Sequence, residues 1–152
     1  MPSVDDISGR ILVDEKATVA FGGELHDAIR RLFGDSAVIY LHGNLGAGKT
    51  TLVRGILRLM KHSGAVKSPT YTLLEPYNIG RLDVYHFDLY RVNDPQELEF
   101  VGIDEIVDGP GLKLFEWPER AGSWLPAPQA VVTLTVVHET EPASREVTVE
   151  FR

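Results

Sequence analysis

Apolar residues recur along the chain with two periods. Leu25, Ala28, Ile29, Leu32 and Phe33 fall at i, i+3, i+4, i+7 and i+8, the spacing that gathers them on one face of a helix. Thr18 stands before this stretch as its N-cap, and Gly34-Asp35 ends it. Leu52, Val53, Ile56, Leu57 and Met60 repeat the helical spacing up to Ser63-Gly64. Between these helices, Ala37–His42 (AVIYLH) is short, apolar and rich in β-formers, so a buried strand is expected. A short strand over 11–13 follows a polar stretch, 1–10, that is expected to fray.

The second half alternates differently. Residues 66–76 read as a loop and then a short strand, and Asn78-Ile79-Gly80 as a turn. Residues 82–89 (LDVYHFDL) alternate and are aromatic, which predicts a strand. Asp94-Pro95 opens a helix running to about Ile106, with Asp as N-cap and Pro at the first helical position. Residues 112–117 (LKLFEW) form another strand, stopped by Pro118. The runs 130–137 and 145–151 flank a polar loop and predict a terminal antiparallel pair. Strand–helix–strand–helix–strand predicts an α/β fold: a mostly parallel central sheet flanked by helices, with C-terminal antiparallel strands.

Length adds that the 152 residues make one domain, 1–152, large enough to bury a core. A 43% hydrophobic and 24% charged composition argues against wholesale disorder. No apolar run approaches the roughly 18 residues of a membrane span. The start, MPSVDDISGR, is acidic and has no apolar h-region, unlike a secretory signal. Absence of cysteine excludes disulfides, thiolate zinc sites and cysteine nucleophiles, and is compatible with a reducing cytoplasm. A net charge of −7 makes the chain a poor candidate for gripping the phosphates of DNA or RNA. Any work on RNA is then expected to use a partner that holds the RNA. The five histidines show no paired metal spacing, and the acidic stretch 94–108 reads as a solvated helix face or a docking face.

The chemistry is concentrated in the turn after the first buried strand. Gly43-Asn44-Leu45-Gly46-Ala47-Gly48-Lys49-Thr50 fits G-x-x-x-x-G-K-[ST], the phosphate-binding P-loop. Its glycines let several backbone N–H groups converge on one anion. The helix beginning near Lys49 adds the positive end of its dipole. Lys49 supplies a point charge for the β- and γ-phosphates, and the Thr50 hydroxyl is a hard oxygen ligand for Mg²⁺. At average glycine usage, a chance match arises in about one in a few hundred chains of this length. The strand before it and the helix after it supply the context that the motif needs.

A magnesium–nucleotide site also needs a carboxylate at a strand end. Asp88 and Glu116 both qualify, and the pattern does not choose between them. No N-K-x-D guanine signature is present, and Asp108-Gly109-Pro110-Gly111 follows a helical segment, so its D-x-x-G match is accidental. A transporter ATPase would need an L-S-G-G-Q segment and a longer chain. A small metabolite kinase would carry an arginine-rich lid. After position 91 the arginines are Arg120, Arg145 and Arg152 alone.

Four segments together resemble the TsaE family, P-loop ATPases of bacterial tRNA threonylcarbamoyladenosine biosynthesis. They are GNLGAGKTT at 43–51, SPTYTL at 68–73, HFDLYR at 86–91 with Asp94-Pro95-Gln96-Glu97-Leu98, and Glu116-Trp117-Pro118. The resemblance spans roughly residues 15–150. One departure is Asn44, where the family usually has Asp, which puts the charge near the phosphates in question. The resemblance implies that Lys49 and the loop from Asn44, Leu45, Gly46, Ala47 and Gly48 through Thr50 and Thr51 hold ATP or ADP. It implies that Thr50 and Glu116 hold Mg²⁺, and that Ser68 and Thr70 form a switch sensing the γ-phosphate. Asp88 becomes the candidate to orient the attacking water, and Arg91 a candidate transition-state cation. Trp117, Thr18 and Arg145 are expected near the nucleotide, although Trp117 also reads as a core or interface aromatic. The implied activity is slow Mg-dependent ATP hydrolysis, faster with TsaB and TsaD as partners, supporting their turnover in the cytoplasm. tRNA is met only through that complex. A small-molecule kinase and a nucleotide-gated binding module are the rival readings.

Overall fold

Paired apolar runs build the sheet. The computed structural model describes residues 7–62, 64–66, 69, 73–138 and 143–152. Its strands are β1 (Arg10–Leu12), β2 (Ala37–His42), β3 (Leu74–Ile79), β4 (Leu82–Asp88), β5 (Leu112–Glu116), β6 (Ala130–His138) and β7 (Ser144–Phe151). The helices are α1 (Glu15–Phe33), α2 (Lys49–Leu59) and α3 (Ile103–Asp108), with 3-10 stretches at Pro95–Val101 and Pro118–Trp124. Seven strands form one sheet in the order β1-β7-β6-β2-β5-β4-β3.

β6, β2, β5 and β4 run parallel to one another. This core matches the expected α/β arrangement. The antiparallel additions are wider than expected: β7 and β1 extend one edge, and β3 pairs with β4 at the other. The sequence reading has a strand, a turn and a strand here, but a period of two marks a strand and not its partner, so the pairing comes from the structure.

Alternation sends successive side chains to opposite faces. Ile39, Leu41, Val84, Leu114 and Val132 pack on one face with α1 and α2. Phe87, Phe115 and Val38 pack on the other with Leu98, Ile103 and Ala121. Phe87 and Phe115 stack with centroids 4.4 Å apart across the β4–β5 pair. All five residues of β5 are buried, as a central parallel strand requires. Between α1 and α2 the backbones approach closely: a Cβ on Gly55 would lie 2.2 Å from the Val19 carbonyl oxygen.

Several boundaries differ from the sequence reading. The N-cap of α1 is Asp14, not Thr18; the Asp14 side chain accepts from Ala17 N at 2.8 Å. Asp14 wins because its carboxylate satisfies a first-turn amide and complements the helix dipole. Thr18 lies inside the helix, fully buried, with its hydroxyl donating to the Asp14 carbonyl at 3.3 Å. The helix expected over 94–106 is broken into the 3-10 stretch and α3 at Gly102, whose φ is 66°. Asn78 and Ile79 belong to β3, and the turn begins at Gly80. Helix α2 ends at Leu59, and Ser63 lies outside the described residues. Among the described residues, no helix is long and apolar enough to cross a membrane.

Candidate functional site

The parallel strands β2, β4 and β5 end together, which is where an open α/β sheet holds its ligand. The turn after β2 leads into α2 through Gly48, whose φ of 104° is the left-handed region that favours glycine. Lys49 and Thr50 then open α2. On the neighbouring strands, Asp88 ends β4 and Glu116 ends β5, directly paired across the ladder. These groups border a cleft of about 470 Å³. Secondary structure from three separate stretches of chain thus brings one lysine, one hydroxyl and two carboxylates to one place.

Lys49 is only 5% exposed. Its Nζ donates to the Gly43 carbonyl at 2.6 Å and lies 3.9 Å from Glu116 Oε1. It also sits 4.0 Å from the centre of the Trp117 ring, a cation–π contact. Burial pushes the Lys49 pKa below its ordinary value, with Glu116, Asp88 and Glu119 pulling it back up. Trp117 has φ 57° and ψ 49°, a strained conformation for a non-glycine residue. That conformation turns the chain from β5 into the following 3-10 stretch.

Glu116 is 3% exposed and meets Thr50, His86 and Lys49. Its Oε2 accepts from the Thr50 hydroxyl at 3.4 Å and lies 2.6 Å from His86 Nε2. Asp88, 6% exposed, accepts from Tyr90 N at 3.1 Å. Thr50 and Glu116, with Asp88 beside them, present hard oxygen donors suited to Mg²⁺. Among the described residues, no group of three or more His, Cys, Asp or Glu side chains stands ready to hold a metal alone.

Of the residues expected at the site, Leu45, Gly46, Ala47, Gly48, Thr51, Trp117 and Arg145 also line this cleft. Arg145 comes from β7 and donates to the Gly46 carbonyl at 3.2 Å, tying the strand next to the sheet's edge to the loop. Asn44 faces an adjoining groove beside Thr133 and Thr135 instead. Thr18 does not reach the cleft; its place inside α1 buries it completely. Ser68 and Thr70 lie outside the described residues. Sequence reasoning passed over Tyr90, which lines the cleft, and His86, which touches Glu116. The alternation of β4 was a usable signal for His86: it stands two residues before Asp88, on the same face of the strand.

Comparison with known proteins agrees with this arrangement. The family model for "Threonylcarbamoyl adenosine biosynthesis protein TsaE" matches residues 12–147. The chain belongs to the TsaE family. It is 46% identical over 122 residues to the tRNA threonylcarbamoyladenosine biosynthesis protein TsaE of Haemophilus influenzae, covering 80% of this chain and 77% of that one. The Bacillus subtilis TsaE is 38% identical over 111 residues, covering 73% and 67%. The crystal structure of Bacillus subtilis YdiB superposes with a TM-score of 0.67 at 27% identity, covering 94% of this chain and 84% of that one. The fold is α/β of the P-loop NTPase class, as the loop motif and the strand order both require.

Proposed function

We propose that this TsaE-family chain is the ATP-binding and ATP-hydrolysing component of tRNA N6-threonylcarbamoyladenosine formation. The observation that carries the reading is the convergence of Lys49, Thr50, Asp88 and Glu116 on the cleft beside the P-loop. The loop amides and Lys49 hold the phosphates; to do so, the Lys49 ammonium exchanges its bond to Gly43 for phosphate oxygens. Thr50 and Glu116 hold Mg²⁺, which would supply charge neutralisation on the phosphates when bound. Asp88 orients the attacking water from the end of β4. Phosphoryl transfer depends on positioning and charge neutralisation more than on covalent chemistry.

In this reading hydrolysis is slow for the chain alone and faster in a complex. Arg91 lines the cleft and is the candidate transition-state cation in the chain itself. A partner-supplied arginine contributes about three to five powers of ten in other P-loop enzymes. The partners are TsaB and TsaD, whose turnover the hydrolysis supports in the cytoplasm, and tRNA is met only through them. The net charge of −7 supports docking on proteins over direct grip on RNA. The test is magnesium-dependent ATP hydrolysis by the pure chain, with and without the TsaB–TsaD pair. Strong stimulation is the expected result. No change, with ATP still bound, would overturn partner activation and direct attention to phosphate acceptors and kinase chemistry.

A further inference from the structure

The carboxylate proposed to hold magnesium is a glutamate, which reaches the ion on a side chain one methylene longer than aspartate. Fixing such a chain on binding costs rotamer entropy unless something already holds it. His86 is placed to do this. Its side chain and that of Glu116 leave neighbouring strands β4 and β5 on the same face, toward α2. His86 is fully buried, and its Nε2 lies 2.6 Å from Glu116 Oε2. Among the described residues its other ring nitrogen, Nδ1, has no hydrogen-bond partner. A carboxylate oxygen can only accept, so a hydrogen bond from the ring to Glu116 calls for the proton on Nε2.

We infer that His86 is a positioning residue for the metal ligand: its Nε2–H holds Glu116 Oε2 and so aims the carboxylate at the ion held with Thr50. Two donors, His86 Nε2–H and the Thr50 hydroxyl, converge on the one oxygen from opposite elements. The Oε1 atom is left turned toward Lys49, 3.9 Å away. The carboxylate orientation is thus set before nucleotide arrives. Outer-shell partners of this kind typically change metal affinity by about 10–100-fold when removed. The inference rests on the reading of Thr50 and Glu116 as magnesium ligands.

The test separates metal affinity from nucleotide affinity. ADP binding to the full chain is measured by calorimetry in EDTA and in magnesium, and Mn²⁺ binding to the ADP complex by electron paramagnetic resonance. His86→Leu is expected to weaken Mn²⁺ binding about tenfold or more while ADP affinity in EDTA stays within about twofold. His86→Gln, whose amide can donate from nearly the same place, is expected to recover most of the loss. Wild-type metal affinity in His86→Leu would overturn the inference. So would an equal loss in EDTA, which would mark His86 as merely a packing residue. Should His86→Leu not fold, the native chain still decides. ¹⁵N spectra of the histidine ring are expected to show a proton on Nε2, and a neutral ring protonated on Nδ1 alone would overturn the inference. If the wild type itself shows no magnesium dependence of ADP binding, the ligand assignment fails first and takes the role of His86 with it.

Discussion

Lys49 is buried with its charge, with one carbonyl, one aromatic face and a carboxylate 3.9 Å away as company. Its pKa is lowered mainly by burial, so the folded chain binds this proton less tightly than the unfolded chain does. The resulting penalty is fully present below the folded pKa and is relieved as pH rises through it toward the ordinary 10.5. Urea melts of the wild type and Lys49→Met between neutral pH and pH of about 10 should show wild type gaining stability relative to the variant as pH rises. The same variant should bind ADP about 10–100-fold more weakly, since a charge-assisted contact is worth roughly 1.5–3 kcal/mol. At Asp88 the expected pattern is different. Asp88→Asn keeps an oxygen to accept from Tyr90 N, so the fold and ATP binding should persist. If it orients the water, single-turnover hydrolysis should fall by about 10²–10⁴. Unchanged hydrolysis would remove Asp88 from that role.

At the scale of elements, the α1–α2 crossing determines how the P-loop helix is seated. Gly22 and Gly55 let the two backbones meet, and the atoms facing them are main chain, which cannot turn aside as a side chain can. Gly55→Ala should therefore destabilise the chain by about 2–3 kcal/mol, near the top of the range for overpacking. Equilibrium urea unfolding measures this directly. Asp14→Ala, which removes the N-cap of α1, should cost about 1 kcal/mol in the same assay and leave ADP binding intact. The contrast matters because Asp14 acts only at the helix end, whereas Gly55 lies on the helix that carries Lys49 and Thr50.

At the scale of the whole molecule, the acidic charge bears on the proposal that tRNA is met only through partners. The pure chain should show no tight tRNA binding at about 150 mM salt, because few phosphates can be neutralised by a chain of net charge −7. Filter binding with and without TsaB–TsaD checks this, and tight binding by the chain alone would contradict the indirect role. Arg145 illustrates how the whole sheet enters the site. It belongs to β7, next to the edge strand β1, yet it donates to the Gly46 carbonyl and borders the cleft.

The sequence by itself determined the parallel α/β core, the phosphate loop and the two carboxylate candidates. Each of these is written in local signals: hydrophobic period, glycine spacing, and charge at a strand end. It left Asp88 and Glu116 equivalent. Tertiary structure gives them different contacts, because the seating of α2 on the sheet sets Thr50 and Lys49 against Glu116 while Asp88 accepts from Tyr90 N. Thr18 shows the converse. It looks like a cap in sequence, but Asp14 caps the helix four residues earlier, and packing then buries Thr18 in α1. The burial of Lys49 and the contact between His86 and Glu116 were also beyond sequence reading. The first depends on how α2 is seated against the end of β5, and the second on register between β4 and β5, which alternation alone does not specify.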